Sequence, residues 1–118
     1  MVESTVAWVS IGNKKCLKIT FIGDFNKEQS AFIIEKCKKE FAGAPGNKHI
    51  VIWDCLKMTG FDNEVMLQWK GVLTEFKDSI DSVWLITTSN IIKLGASTMR
   101  LMLPFKVTTV ISESEIKM

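Results

Sequence analysis

Hydrophobic and polar positions alternate with a period of two from Thr5 to Ile11 and again from Leu17 to Ile22, the spacing of half-buried β-strands. Between them Gly12-Asn13-Lys14-Lys15 is polar and turn-forming, so the two runs predict an antiparallel hairpin. The chain then breaks at Gly23-Asp24, and from Asn26 the period lengthens to that of a helix. Asn26 and Gln29 are spaced as a capping box, each able to satisfy an orphan N–H of the first turn. Ser30, Ile33, Ile34, Cys37 and Phe41 fall on one face, with Lys36, Lys38 and Lys39 largely turned away from it. Gly43 and Pro45 end this helix.

His49-Ile50-Val51-Ile52-Trp53 is a continuous apolar run, which predicts a strand covered on both faces, as in a parallel sheet. Asp54 to Phe61 reads as a loop. A second helix begins near Asp62 and buries Val65, Trp69, Val72, Leu73 and Phe76, while Lys70, Glu75 and Lys77 face water. Ser82 to Thr88 predicts another buried strand, and Ser89 or Asn90 caps a third helix that runs to about Leu103, where Pro104 forbids continuation. Val107 to Ile111 is the last strand. A hairpin followed by alternating helix and strand predicts an α/β fold. It has a single layer of about five mostly parallel strands, one of them an N-terminal antiparallel hairpin strand, packed by three main helices.

Composition narrows the possibilities. A chain of 118 residues, 47% apolar and 24% charged, suits one globular domain spanning residues 1–118 and excludes intrinsic disorder. Charges break every apolar run before the ~20 residues a membrane helix needs, and Met1-Val2-Glu3-Ser4-Thr5 does not open like a secretory signal. The expectation is therefore cytoplasmic. Cys16, Cys37 and Cys55 are odd in number and never spaced C-x-x-C, so they read as reduced, buried small hydrophobes. With one histidine there is no credible zinc set. The net charge of +2 comes from dispersed lysines and Tyr is absent, which argues against a nucleic-acid partner.

Chemistry is sparse. His49 sits at the start of a strand, whereas ligands of open α/β sheets gather beyond the carboxyl ends, so it reads as a surface or half-buried strand residue. No serine-nucleophile elbow, phosphate loop or dinucleotide fingerprint is present. Asp54 and Thr88 end successive strands as in a phospho-accepting receiver domain. Such a domain needs an acidic pair after its first strand, and only Asp24 is available. Polar residues collect instead at the carboxyl ends: Asp24 after the second strand, Asp54 and Thr59-Gly60-Phe61-Asp62-Asn63-Glu64 after the third, and Thr88-Ser89-Asn90 after the fourth. Two of these groups open helices, whose free N–H groups suit an anion or an acidic partner group. Taken singly, Asn26, Asp62 and Ser89 read as caps.

The succession hairpin, helix, strand, loop, helix, strand, helix, strand resembles the STAS family of sulphate transporters and anti-sigma-factor antagonists. The family reads Asp-Leu-Ser and then Ile-Asp-Ser-Ser-Gly after its third strand. Here Ile52-Trp53-Asp54-Cys55-Leu56 is followed by Gly60-Phe61-Asp62-Asn63-Glu64. Asp54 and Asp62 keep the spacing of many members, and the stretches Gly60-Phe61-Asp62 and Leu103-Pro104-Phe105 are most similar to the stand-alone, sporulation-antagonist-like (SpoIIAA-like) branch. The resemblance implies a regulatory, non-enzymatic module without cofactor or metal. It would dock a protein partner, an anti-sigma factor or kinase-like regulator, on the loop after the third strand and the following helix start. Family antagonists are switched by phosphorylation of a serine where this chain has Glu64, which carries one negative charge and cannot accept phosphate. The tail Ser112 to Met118 looks like a truncated last helix that leaves one flank of the sheet less covered. An alternative is a small-molecule binder, for a lipid or nucleotide. An enzyme would have to work through Asp54 or Cys55. The third helix carries only Lys93 and Arg100 against seven large apolar residues. It is either well buried or an apolar patch for a partner, a lipid surface or a second copy.

Overall fold

The computed structural model describes residues 4–43, 48–61 and 63–116. Their elements follow in the order β1 (Thr5–Ile11), β2 (Lys14–Phe25), α1 (Lys27–Ala42), β3 (His49–Phe61), α2 (Asn63–Glu75), β4 (Ile80–Ile86), α3 (Asn90–Met102) and β5 (Lys106–Val110), with short 3-10 turns at Lys77–Ser79 and Glu113–Glu115. The expected α/β class holds, with three helices and a five-stranded sheet in the order β1-β2-β3-β4-β5. β1 pairs antiparallel to β2, and every later pair is parallel.

The topology dictates where the helices lie. Strands β2 to β5 step to the next neighbour in one direction, and right-handed crossovers that all step the same way place their helices on one face. The main core forms there, from Leu17, Ile19 and Phe21 of β2, Val51, Trp53 and Cys55 of β3, and Val83 and Leu85 of β4. Against these pack Ile33, Ile34, Cys37 and Phe41 of α1, Val65, Trp69, Val72 and Leu73 of α2, and Ile92, Ala96 and Met99 of α3. The stripe predicted for the first helix is the one buried: Ser30, Ile33, Ile34, Cys37 and Phe41. Asn26 caps it, accepting from the Gln29 N–H at 2.9 Å. Phe76 lies just past α2, half-buried and stacked on Phe41 at 5.2 Å.

The other face carries the alternate positions. Cys16, Ile50, Ile52 and Ile86 are buried there with Ile116 of the tail, flanked by half-buried Val9, Ile11, Trp84 and Val110. No helix covers this side among the described residues. The third strand is thus apolar on both faces, as expected, but its second cover is the tail and neighbouring side chains. All three cysteines are free and buried.

Several predicted boundaries are corrected. The hairpin turn is two residues, not four: Ile11 pairs with Lys14, and Gly12 takes φ +61°, the positive value a type II′ turn demands at its first central position. Lys14 and Lys15 therefore belong to β2. The break expected at Gly23-Asp24 lies inside β2, and the loop expected over Asp54 to Phe61 is the distal half of β3. Parallel pairing with β2 converts that loop to strand, with Ile22 beside Lys57 and Asp24 beside Gly60. The register shifts at Thr20/Ile22 and at Gly23/Asp24 each leave one extra residue on β3, the signature of β-bulges. The fourth strand starts at Ile80 and stops at Ile86, so Thr88 lies beyond it. His49 is buried rather than superficial, because the Trp8 ring packs edge-on at 5.0 Å. The stop expected at Pro45 lies outside the described residues.

Candidate functional site

Because β2, β3 and β4 are parallel, their carboxyl ends share one edge of the sheet, but they end at different heights. β4 stops where Ile86 pairs with Asp54, while β2 and β3 continue together to the Phe25–Phe61 pair. The result is a two-stranded ribbon rising past the sheet, from which α1 and α2 depart. Gly23 takes φ +75° within it, a conformation other residues adopt only with strain. Gly60 lets the Asp24 carboxylate come close: a Cβ at position 60 would sit 3.0 Å from Asp24 Oδ1.

The expected site residues divide by the direction they face. Asp24 and Thr59 are exposed on the ribbon, and Phe61 ends β3 at its tip. Asn63 opens α2, and Glu64 in its first turn is exposed and pairs with Lys27 at 3.3 Å, joining the starts of α1 and α2. Asp62 lies outside the described residues. Thr88 and Asn90 are exposed beside the start of α3, whose cap is Ser89, accepting from the Ile92 N–H at 3.4 Å. Buried Thr87 fixes that turn: its N–H donates to the Val110 carbonyl, and its Oγ1 accepts from the Ser89 N–H.

Asp54 stands apart from this group. It alternates with the inward residues of β3 and so lies on the helix-free face, 3.6 Å from Lys18 Nζ, which also contacts Glu113 at 3.1 Å. Its Oδ1 accepts from the Leu56 N–H, holding the bulge where β3 leaves β4. Asp54 thus shapes the base of the ribbon while Asp24 and Thr59 stand on its exposed part and Glu64 at the start of α2.

The apolar patch weighed for the third helix is exposed in part, and sequence reasoning missed its companions Leu56 and Leu67. Leu56 on β3, Leu67 on α2, and Ile91 and Leu94 on α3 are 48%, 66%, 73% and 70% exposed. The spacing of Ile91, Leu94, Thr98 and Leu101 was a usable signal: these positions form a second stripe, opposite the buried Ile92, Ala96 and Met99. Between α2 and α3 lies a cavity of about 60 Å³, lined by apolar side chains that include Met58, Met66, Trp69 and Ile92, with Cys55 at its floor.

The buried thiols are not poised as nucleophiles. Burial pushes the Cys55 thiol pKa up, and the neighbouring Asp54 charge pushes it further the same way, so the thiol is protonated at neutral pH. Cys37 is raised to about 12, by burial first and Glu40 second, and Cys16 is raised by burial. Among the described residues no three His, Cys, Asp or Glu side chains cluster as a metal would require, and no helix is long and apolar enough to cross a membrane.

Comparison with solved structures places this geometry. An uncharacterized protein from the DUF3478 family with a SpoIIAA-like fold, from Shewanella loihica PV-4, superposes with a TM-score of 0.79 at 9% identity, over 96% of this chain and 90% of that one. The chain has the SpoIIAA-like fold. The anti-sigma factor antagonist SpoIIAA, in its unphosphorylated form, superposes with a TM-score of 0.63 at 14% identity, over 94% of this chain and 92% of that one. No family model matches the sequence, and no curated protein matches it. At such identities the likeness is one of backbone, so the SpoIIAA-like fold fixes where the ribbon and helix starts lie and leaves their side chains to be read from this chain alone.

Proposed function

We propose that the chain is a non-enzymatic regulatory module that docks a protein partner on the edge formed by the β2–β3 ribbon and the starts of α2 and α3. The observation that carries this reading is the pairing of exposed polar groups with exposed aliphatic ones. Asp24 and Thr59 are exposed on the ribbon, Glu64 and Asn90 at the starts of α2 and α3, and the same two helix starts carry Leu67, Ile91 and Leu94, each of these three at least 66% exposed. Clustered exposed aliphatics rimmed by polar residues suit a protein interface. The SpoIIAA-like fold adds a partner class, since one neighbour is named an anti-sigma factor antagonist. An anti-sigma factor or kinase-like regulator is the partner proposed, and the cytoplasm the place. Glu64 gives this edge a fixed negative charge in place of a phosphorylation site. A second copy of the chain is a lesser candidate for the exposed stripe of α3.

The second reading is a small apolar ligand in the cavity between α2 and α3. Its apolar lining suits an acyl chain and not a nucleotide, and its volume is below the ~150 Å³ that holds a benzene-sized guest.

Site-specific photocrosslinking in cells tests the docking edge. A photoreactive residue at Thr59 or Leu67 is expected to trap one defined protein, and the same residue at Lys106 is expected to trap none. Glu64→Lys should abolish the adduct without altering the fold. Equal adducts at Thr59 and Lys106, or none at Thr59 and Leu67, would defeat the proposal.

A further inference from the structure

We propose that the amino-terminal end of the parallel sheet holds a second, independent binding site, for a small phosphate ester. A basin of about 360 Å³ opens there, lined by Lys14, Lys15, Lys48, His49, Ile50 and Asp81. This volume falls in the range of small-molecule sites, roughly 300–1,000 Å³.

The strand register builds the basin. Cys16 of β2 pairs with Ile50 of β3, so Lys14 and Lys15 come beside Lys48 and His49 at the same end. On the far side His49 pairs with Ile80 but Ile50 pairs with Ser82, which leaves Asp81 as an extra residue in β4. Such a bulge re-aims one side chain, and here it places an aspartate among the lysines that line the basin. One wall is rigid. The Trp8 indole donates to Glu40 Oε2 at 2.6 Å, packs edge-on against His49 at 5.0 Å, and carries Lys15 Nζ over its ring at 4.5 Å.

The charge balance selects the ligand. Three lysines and one aspartate line the basin, and among the described residues none of the three lysines forms an ion pair. Lysine binds phosphate as a point charge, and a dianion offsets the mutual repulsion of the cluster. An ionised carboxylate only accepts hydrogen bonds, so Asp81 calls for a donor on the ligand, such as a hydroxyl next to the phosphate. A compact basin, in contrast to a basic stripe along a surface, fits a small molecule better than a nucleic-acid backbone. The basin lies at the opposite end of the sheet from the docking edge, so either site can fail without the other.

NMR titration at constant ionic strength tests this, with inorganic phosphate and glycerol 3-phosphate as probes. Saturable shifts are expected at Lys14, Lys15, Lys48 and His49, with the ester binding more tightly than phosphate. Lys48→Gln should weaken both roughly threefold to tenfold, the weight of one charge at close range, while Lys106→Gln should change neither. Asp81→Asn should strengthen phosphate binding and erase the preference for the ester. Lys48, Asp81 and Lys106 are exposed, so the variants keep the fold. Flotation with vesicles containing phosphatidic acid separates the sources: binding lost in Lys48→Gln would assign the phosphate to a lipid headgroup, and binding of the soluble ester would assign a free metabolite. Shifts that never saturate, or that survive Lys48→Gln unchanged, together with no flotation, would overturn the site.

Discussion

Alkaline pH should unfold this protein through its buried thiols, and the size of the effect follows from their burial. Cys37 and Cys55 are 0% and 3% exposed, and burial is the leading cause that raises each above the ordinary value of 9.0, Cys37 to about 12. For an acid whose folded pKa is raised, stability is fully present below the unfolded pKa and is lost as pH climbs toward the folded one. The unfolded chain releases these protons near pH 9 while the folded chain holds them. Each pH unit above 9 therefore costs about 1.4 kcal/mol per thiol. At pH 10.5 the loss is about 2 kcal/mol for each, about 4 kcal/mol for the pair, out of the 5–15 kcal/mol typical of a domain. Urea denaturation under reducing conditions at pH 8, 9.5 and 10.5 measures it. The double substitution Cys37→Ala and Cys55→Ala lowers stability at every pH by leaving cavities, so the informative quantity is the slope. The slope should flatten by about 4 kcal/mol across that interval relative to the unsubstituted chain. Equal slopes would mean that the thiols ionise in the folded state, and would reopen Cys55 as a nucleophile.

Other substitutions separate structural from functional roles. Glu64→Lys breaks an ion pair whose members are 65% and 64% exposed, so it should cost less than about 1 kcal/mol by chemical denaturation while the docking proposal expects it to lose the photocrosslinked adduct. Ser89→Ala removes the cap of α3 and should cost about 1 kcal/mol, whereas Asn90→Ala, on an exposed side chain in the same turn, should stay within about 0.5 kcal/mol. Trp69→Ala empties the centre of the Phe21–Trp53–Trp69 cluster and should cost about 3–5 kcal/mol, read as a large fall in the urea midpoint. Leu94→Ser, at 70% exposure, should leave that midpoint within error and reduce photocrosslinking from Leu67.

What the sequence disclosed and what it hid separate along a physical line. Helix faces are local: Ser30, Ile33, Ile34, Cys37 and Phe41 occupy one side of α1 through covalent spacing alone, and periodicity suffices to find them. The element order was legible for the same reason, with caps at Asn26 and Ser89 marking helix starts. The distal half of β3 was not. Cys55-Leu56-Lys57-Met58-Thr59-Gly60-Phe61 has no β-branched aliphatic residue and carries a glycine, so its own preferences favour a loop. It becomes strand because β2 runs beside it, and β2 continues there because Gly23 takes a conformation that its neighbours would resist. Each segment is ordered by the other.

That mutual dependence also governs the candidate site. Had residues 54–61 been a free loop, Asp54 and Thr59 would have been independent groups on a mobile segment. In a bulged strand each extra residue shifts the alternation between faces, so the register shifts decide which side chains stand with the helices and which with the tail. Asp54, before the first shift, is committed to the helix-free face and to Lys18. Asp24 and Gly60, after the second, come together at the tip. Asp54 and Asp24 therefore occupy two environments, one shaping the base of the ribbon and one at its exposed end. Fold likeness at 9% and 14% identity conveys the path of the ribbon but not this division of roles, which rests on where this chain inserts its two extra residues.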